Sequence, residues 1–236
     1  MFDLDSSHFR GNHLLASLPD ADYSRMLPDL EAIHLDIKDH LYEHDQPIQF
    51  VYFPLSGMAS ILTVLGSNHY IEAGIVGCEG VVGLPVFLGA ETTPTTAFYQ
   101  IPGIAVRMPS AKFQAEIQRR GVLESLLKRF AHAHLTMLTQ NIACNSQHSI
   151  EQRCARWLLL SHDRMDKDEF MLTQEFLSQM LGVRRAGVSS VMHSLQKAGL
   201  IHYTRGIITI LNRAGLQKLA CQCYGIIAKA YRDNLS

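Results

Sequence analysis

From about residue 33 to 109 the apolar positions come in short runs, at 51–53, 58–64, 70–76, 96–100 and 104–108. They are separated by Gly57, Gly66-Ser67-Asn68, Gly77, Gly83 and Pro102-Gly103. Runs this short, rich in β-branched and aromatic residues and closed by turn formers, predict an antiparallel barrel or double-sheet jelly roll. The period changes at Pro109-Ser110, where Ser110 suits a helix N-cap and Phe113 and Ile117 then share one face. After Gly121 a helical stretch continues to about Asn145, roughly 25 residues and ~37 Å long at 1.5 Å per residue. Along it Leu123, Leu127, Phe130, His134, Met137, Asn141 and Asn145 keep a three-four spacing, with Leu126, Leu135, Leu138 and Ile142 beside them. This is more apolar surface than one small barrel covers. The expectation is a homodimer with Leu123, Leu127, Phe130, His134, Met137 and Asn141 at the seam, His134 and Asn141 fixing its register. Packing wholly within the chain is the alternative.

Helical spacing restarts at Ser149-Ile150-Glu151-Gln152, a Ser-x-x-Gln capping box, and turns Cys154, Trp157, Leu158 and Ser161 inward. The polar run 163–169 reads as a loop and 170–172 as a short strand. Thr173 then caps a helix with Glu175 in its first turn, and Gly182 ends it. A second helix runs from near Arg184 to Ala198, stopped by Gly199. Leu177, Leu181, Val183, Val188, Val191 and Leu195, with small Ser178 and the turn glycine, suit two helices crossing at a steep angle. The outward positions of the second helix, Arg184, Arg185, Ala186, Ser189, Ser190, His193 and Lys197, are short or basic. Such a face suits the major groove, where Arg can bond both guanine acceptors. Residues 200–211 read as a hairpin with its turn at Thr204-Arg205-Gly206, a wing whose tip, Arg205, can meet a phosphate. Thr173, Arg184, Arg185, Ser189, Ser190, His193 and Arg205 are the candidate DNA-contacting residues.

Charge sharpens this picture. The formal net charge is −1, yet no Asp or Glu occurs from Phe176 to Arg232, where eight Lys and Arg stand. The other 13 of the 21 bases and all 22 acids lie outside that window, leaving the remainder at −9. A basic block on an acidic body points to a polyanion partner for the block alone. Five cysteines, Cys78, Cys144, Cys154, Cys221 and Cys223, are too few and scattered for a disulfide framework and suit a reducing compartment. Cys144-x3-His148 and Cys221-x-Cys223 could supply four zinc ligands only if the two pairs met in space; otherwise they are small apolar filler on helices, and no metal is expected. The polar start of the chain and the absence of a long apolar run predict a cytoplasmic protein with no membrane partner.

The segments Leu172-Thr173-Gln174-Glu175-Phe176-Leu177, Leu181-Gly182-Val183-Arg184-Arg185, Leu195-Gln196-Lys197-Ala198-Gly199-Leu200-Ile201 and Arg205-Gly206-Ile207-Ile208-Thr209-Ile210 resemble the CRP/FNR superfamily of bacterial regulators. Upstream, Val51-Tyr52-Phe53-Pro54-Leu55-Ser56-Gly57 is similar to an early barrel strand and turn of the same family. The resemblance implies an α+β chain: a cyclic-nucleotide-binding-like jelly roll over 1–120, a dimerisation helix over 121–148 and a winged helix-turn-helix over 149–236. It implies double-stranded DNA with a pseudo-palindromic operator as partner, and RNA polymerase as a further partner if the protein activates. Where cyclic-AMP-binding members carry a Gly-Glu pair and an Arg-Ser/Thr-Ala run, this chain has Gly83-Leu84 and Thr95-Thr96-Ala97. Carboxylate and cation are both replaced, so no cyclic AMP is expected. No cysteine precedes Cys78, so no iron-sulfur cluster of the oxygen-sensing kind is expected either. Where members often place Arg, Glu and Arg on the recognition helix, Arg185, Ala186 and Ser190 stand, implying a different operator. Two other readings compete. A jelly-roll metal enzyme would need a His-x-His and carboxylate triad; no His-x-His lies in the barrel region, and His40, His44 and His69 remain as scattered possible ligands. A dimeric scaffold that binds no DNA fits the acid-free face poorly.

Overall fold

The computed structural model describes residues 5–65 and 70–235; the Gly66-Ser67-Asn68 turn and His69 lie outside them. After a 3-10 helix over Ser6–Gly11 come two short α-helices, α1 (His13–Ala16) and α2 (Asp20–Met26). Asn12, fully buried, caps α1 by accepting from the Leu14 and Leu15 amides and donates to the carbonyls of Pro54 and Gly80. Seven strands follow: β1 (Glu31–Leu35), β2 (His40–Tyr42), β3 (Phe50–Pro54), β4 (Met58–Val64), β5 (Tyr70–Val76), then, after the one-turn α3 (Leu84–Phe87), β6 (Thr95–Ile101) and β7 (Gly103–Pro109). They pair antiparallel in two sheets, ordered β1-β7-β3 and β2-β6-β4-β5. Between them Val51, Phe53, Tyr99, Val106 and Met108 make a core. The expected strands are present; β1 and β2, five and three residues long at sheet edges, are too short for a period to announce them.

Next come α4 (Ser110–Gln118), α5 (Val122–Gln147) and α6 (Ile150–His162). Pro109, not Ser110, occupies the cap position of α4, because the Ser110 hydroxyl is turned to the Ile48 carbonyl, 2.6 Å away. The capping box at Ser149 and Gln152 is formed in full. Beyond it lie β8 (Glu169–Met171), α7 (Gln174–Leu181), α8 (Arg185–Lys197), β9 (Ile201–Thr204), β10 (Ile207–Ile210), α9 (Arg213–Leu219) and α10 (Cys223–Leu235), with β8-β10-β9 as a third sheet.

The C-terminal elements do not stand apart from the barrel. Trp157, Leu158, Leu177, Val188, Leu195 and Ile208 share one apolar cluster with Met58, Leu62, Ile75, Phe98 and Ile101 of the four-stranded sheet. Phe98 and Phe176 meet edge to face at 5.5 Å, Trp157 Nε1 donates to Glu72 Oε1 at 2.7 Å, and buried Arg164 pairs with Glu79 at 2.7 Å. That sheet is covered on both faces, which is why β6 is buried at every position from Thr96 to Ile101 and shows no in-and-out alternation.

The long helix is where expectation and structure part. Leu123, Leu127, Phe130, His134 and Met137, expected at a dimer seam, are all buried within one chain. α10 lies along α5: Tyr231 packs on Phe130 with ring centroids 6.4 Å apart, and its hydroxyl is 3.3 Å from His134 Nδ1. Asn141 donates to the Ala73 carbonyl of β5 at 2.7 Å and accepts from Arg156, so it is a bracket within the chain and not a seam residue. A helix supplied by the same chain satisfies the apolar face more readily than a partner does, since its docking carries no translational entropy cost. What α5 leaves exposed is another stripe, with Leu135 at 58% and Ile142 at 72% exposure beside half-buried Leu138. Among the described residues no helix is long and apolar enough to cross a membrane.

Candidate nucleic-acid interface

Thr173 caps α7, its hydroxyl accepting from the Phe176 amide at 3.2 Å, with Glu175 in the first turn. The helix closes on Gly182 at φ 61°, a left-handed conformation that costs glycine nothing. The Val183 amide reaches back to the Ser178 carbonyl at 3.0 Å and α8 sets off across α7. Val188, Met192 and Leu195 hold α8 down, all buried to within 2% exposure. Met192 takes the inward place that the spacing had given to Val191, which is half-buried. Gly199, at φ 69°, turns the chain into β9.

This packing leaves Arg184, Arg185, Ala186, Ser190, His193 and Lys197 exposed on one side of α8. Arg184 and Arg185 make no ion pair among the described residues and stand at the helix start, where cations oppose the dipole. Ser189 departs from expectation: it is half-buried and its hydroxyl donates to Gln174 Oε1, so it locks α8 to α7 instead of facing outward freely. Gln196 also holds this face in place: its Oε1 accepts from the Tyr203 amide at 2.7 Å and ties α8 to the hairpin β9–β10. That contact crosses seven positions and leaves no mark on periodicity. At the hairpin tip both Arg205, φ 49°, and Gly206, φ 81°, are left-handed, as a two-residue type I′ turn requires. Arg205 is exposed. The Gly206 carbonyl accepts from the Leu172 amide at 2.8 Å, which places the wing tip beside exposed Thr173.

In the barrel, Leu84 opens α3 half-buried and Thr95 opens β6 with its hydroxyl 3.0 Å from that of Thr93. Val81, Val82 and Val86 around them are buried, so this segment packs into the barrel core. His40 and His44 are exposed, and among the described residues no group of three or more possible metal ligands forms in the barrel. Such a group does form elsewhere, where the ends of α5 and α9 meet: donor atoms of Cys144, His148, Cys221 and Cys223 lie within 4.8 Å of one another.

A helix-turn-helix with a basic exposed second helix and an adjoining wing, docked on a double-sheet barrel, has the form of a DNA-binding module. Residues 152–219 match the family model of the Crp-like helix-turn-helix domain. This part of the chain is a DNA-binding domain of the Crp type, carried on the fold of CRP/FNR-family regulators. That fold recurs in a putative CRP/FNR-family transcriptional regulator from Eubacterium rectale, with TM-score 0.68, 16% identity, and 91% of this chain and 99% of that one covered. FixK2 from Bradyrhizobium japonicum shares it with TM-score 0.70 at 16% identity, covering 81% of this chain and 98% of its own. So does the c-di-GMP-responsive global regulator CLP of Xanthomonas campestris, with TM-score 0.62, 16% identity, and coverage of 80% and 99%. No curated protein matches the chain in sequence.

Proposed function

We propose that the chain is a sequence-specific transcription regulator that binds a pseudo-palindromic operator as a two-fold dimer and is not switched by cyclic AMP. The observation that carries the reading is the exposed face of α8, where Arg184, Arg185, Ser190 and His193 stand with no acid among them and Arg205 adjoins on the wing. Arg185, inside the first turn, reads a base; Arg205 meets a phosphate and fixes orientation. The dimer is supported by the exposed Leu135 and Ile142 on α5 and by the single recognition helix per chain, which reads only half a site. Half-sites then lie about one turn, ~34 Å, apart. Loss of cyclic AMP control is supported by Leu84 and Thr95. With neither carboxylate for the ribose nor cation for the phosphate at the positions the resemblance assigns, a buried cyclic phosphate forgoes a charge-assisted pair worth about 2 to 5 kcal/mol.

The test is operator selection from random DNA followed by titration of the apo protein at moderate salt. Nanomolar operator binding is expected, the ordinary range for specific sites. Arg185→Ala should cost about 1 to 3 kcal/mol on the operator and relax preference at one base pair. Equal losses on operator and random DNA would show that Arg185 reads no base. Cyclic AMP at ~1 mM should leave operator affinity unchanged; a tenfold rise, about 1.4 kcal/mol of coupling, overturns that part of the reading.

A further inference from the structure

Two pairs of ligand-type residues far apart in sequence converge where α5 ends. Cys144 and His148, four residues apart, share one face of the last turn of α5, and the His148 amide closes that turn on the Cys144 carbonyl at 3.0 Å. Cys221 lies in the short connection after α9, and Cys223 opens α10. Cys144 Sγ is 3.4 Å from Cys221 Sγ, and Cys223 Sγ is 3.6 Å from His148 Nδ1. The three cysteines are buried and His148 is half-buried at the rim.

These spacings are those of corners around a single tetrahedral ion. Zinc bonds of about 2.3 Å to sulfur and about 2.0 Å to nitrogen put two sulfurs ~3.8 Å apart and a sulfur and a nitrogen ~3.5 Å apart. An iron-sulfur cluster hangs its thiolates on different irons and needs a wider cage than 4.8 Å allows. Cys221-x-Cys223 with a Cys-x3-His on a helix is also the soft donor set that zinc takes in closed structural sites.

The surroundings supply a second, independent sign. Arg153 and Arg156 on α6 are 8% and 4% exposed, and neither pairs with a carboxylate among the described residues. The Nε atom of each has no hydrogen-bond partner. Both guanidinium groups are close enough to Cys144 to act on it electrostatically. Arg156 also acts on Glu72, but among the described residues no carboxylate acts on Arg153, so a buried cation faces the thiols without an anion to balance it, an imbalance of the kind interiors avoid. Zinc bound to three thiolates and a neutral imidazole, the thiol protons having left to solvent, carries one net negative charge and answers it.

We propose that Cys144, His148, Cys221 and Cys223 form a closed tetrahedral site for one zinc ion, which fastens the start of α10 to the end of α5 beside the junction with α6. The site stands independently of the DNA-binding reading. The full chain, purified under reducing conditions without chelator, should contain about one zinc per chain by elemental analysis. After chelation, Co²⁺ should bind at about one equivalent with the intense visible absorption of tetrahedral thiolate cobalt, and zinc should displace it. The double change C221S and C223S should lower zinc content at least tenfold. Because that variant could fail to fold, the cobalt titration of the unaltered chain decides. Reduced, folded protein holding below about 0.1 equivalents of zinc and giving no tetrahedral cobalt spectrum overturns the proposal. So does iron with inorganic sulfide in place of zinc, or recovery of Cys144 and Cys221 as a disulfide without metal.

Discussion

Two buried titratable side chains pull the stability of this protein in opposite directions with pH. Glu72 accepts from Ser60 Oγ at 2.8 Å and from Trp157 Nε1 at 2.7 Å, and its burial raises the carboxyl from 4.5 to about 7. The folded form therefore keeps a proton that the unfolded chain has released. Stability from this group is fully present below about pH 4.5 and is lost as pH rises through 7, a change of about 3 kcal/mol. His134 does the reverse. Burial first, and Arg164 second, lower it from 6.5 to about 4, so its contribution is lost as pH falls from 6.5 towards 4. Over the shared window the slopes offset, and the unaltered protein should show a shallow dependence. Glu72→Gln keeps an acceptor for the indole and should unmask the histidine, with stability in urea rising from pH 4.5 to 6.5. His134→Gln should leave the carboxylate slope alone, falling over the same range. Identical slopes in both variants would show that neither group titrates as assigned. Neither role was legible in the sequence: Glu72 sits in an ordinary strand, and its burial comes from Trp157, 85 positions away.

Elements were legible wherever their determinants are local. The box at Ser149, the cap at Thr173 and the glycine stops at 182 and 199 each act within a few residues, and each stands where the sequence places it. What escaped was decided by distant partners, such as the side of α5 that α10 covers, the Gln196 tie to β9, and the meeting of Cys144 with Cys221. The Crp-type domain was readable because helix, turn glycine, helix and wing follow one another along the chain. The wing offers a test at this scale. Arg205 holds a left-handed backbone, φ 49°, that disfavours a long side chain and that asparagine tolerates. Arg205→Asn should preserve the hairpin while weakening all DNA sequences alike and reducing the slope of log K against log salt by about one. An unchanged salt slope would remove Arg205 from the interface.

At the scale of the molecule, the helix-turn-helix is braced against the barrel by Phe98–Phe176, Trp157–Glu72 and Arg164–Glu79, while α8 keeps its basic face open. The apolar surface of α5 left over for a second copy runs through Leu135 and Ile142. Ile142→Glu should convert a dimer to monomer by light scattering with the fold intact by circular dichroism, and should weaken operator binding through lost bivalency. A dimer that survives this change places its interface elsewhere. The lie of α10 along α5 also has a consequence for synthesis. His134 and Tyr231 are 97 residues apart. At about 5 to 20 residues per second, a ribosome takes roughly 5 to 20 seconds to reach the second after making the first. For that interval Phe130, His134 and Met137 lack the helix that covers them, while the barrel strands before them are already made. The nascent chain carries an open aromatic strip that invites a chaperone, or another copy of itself, before its own last helix arrives.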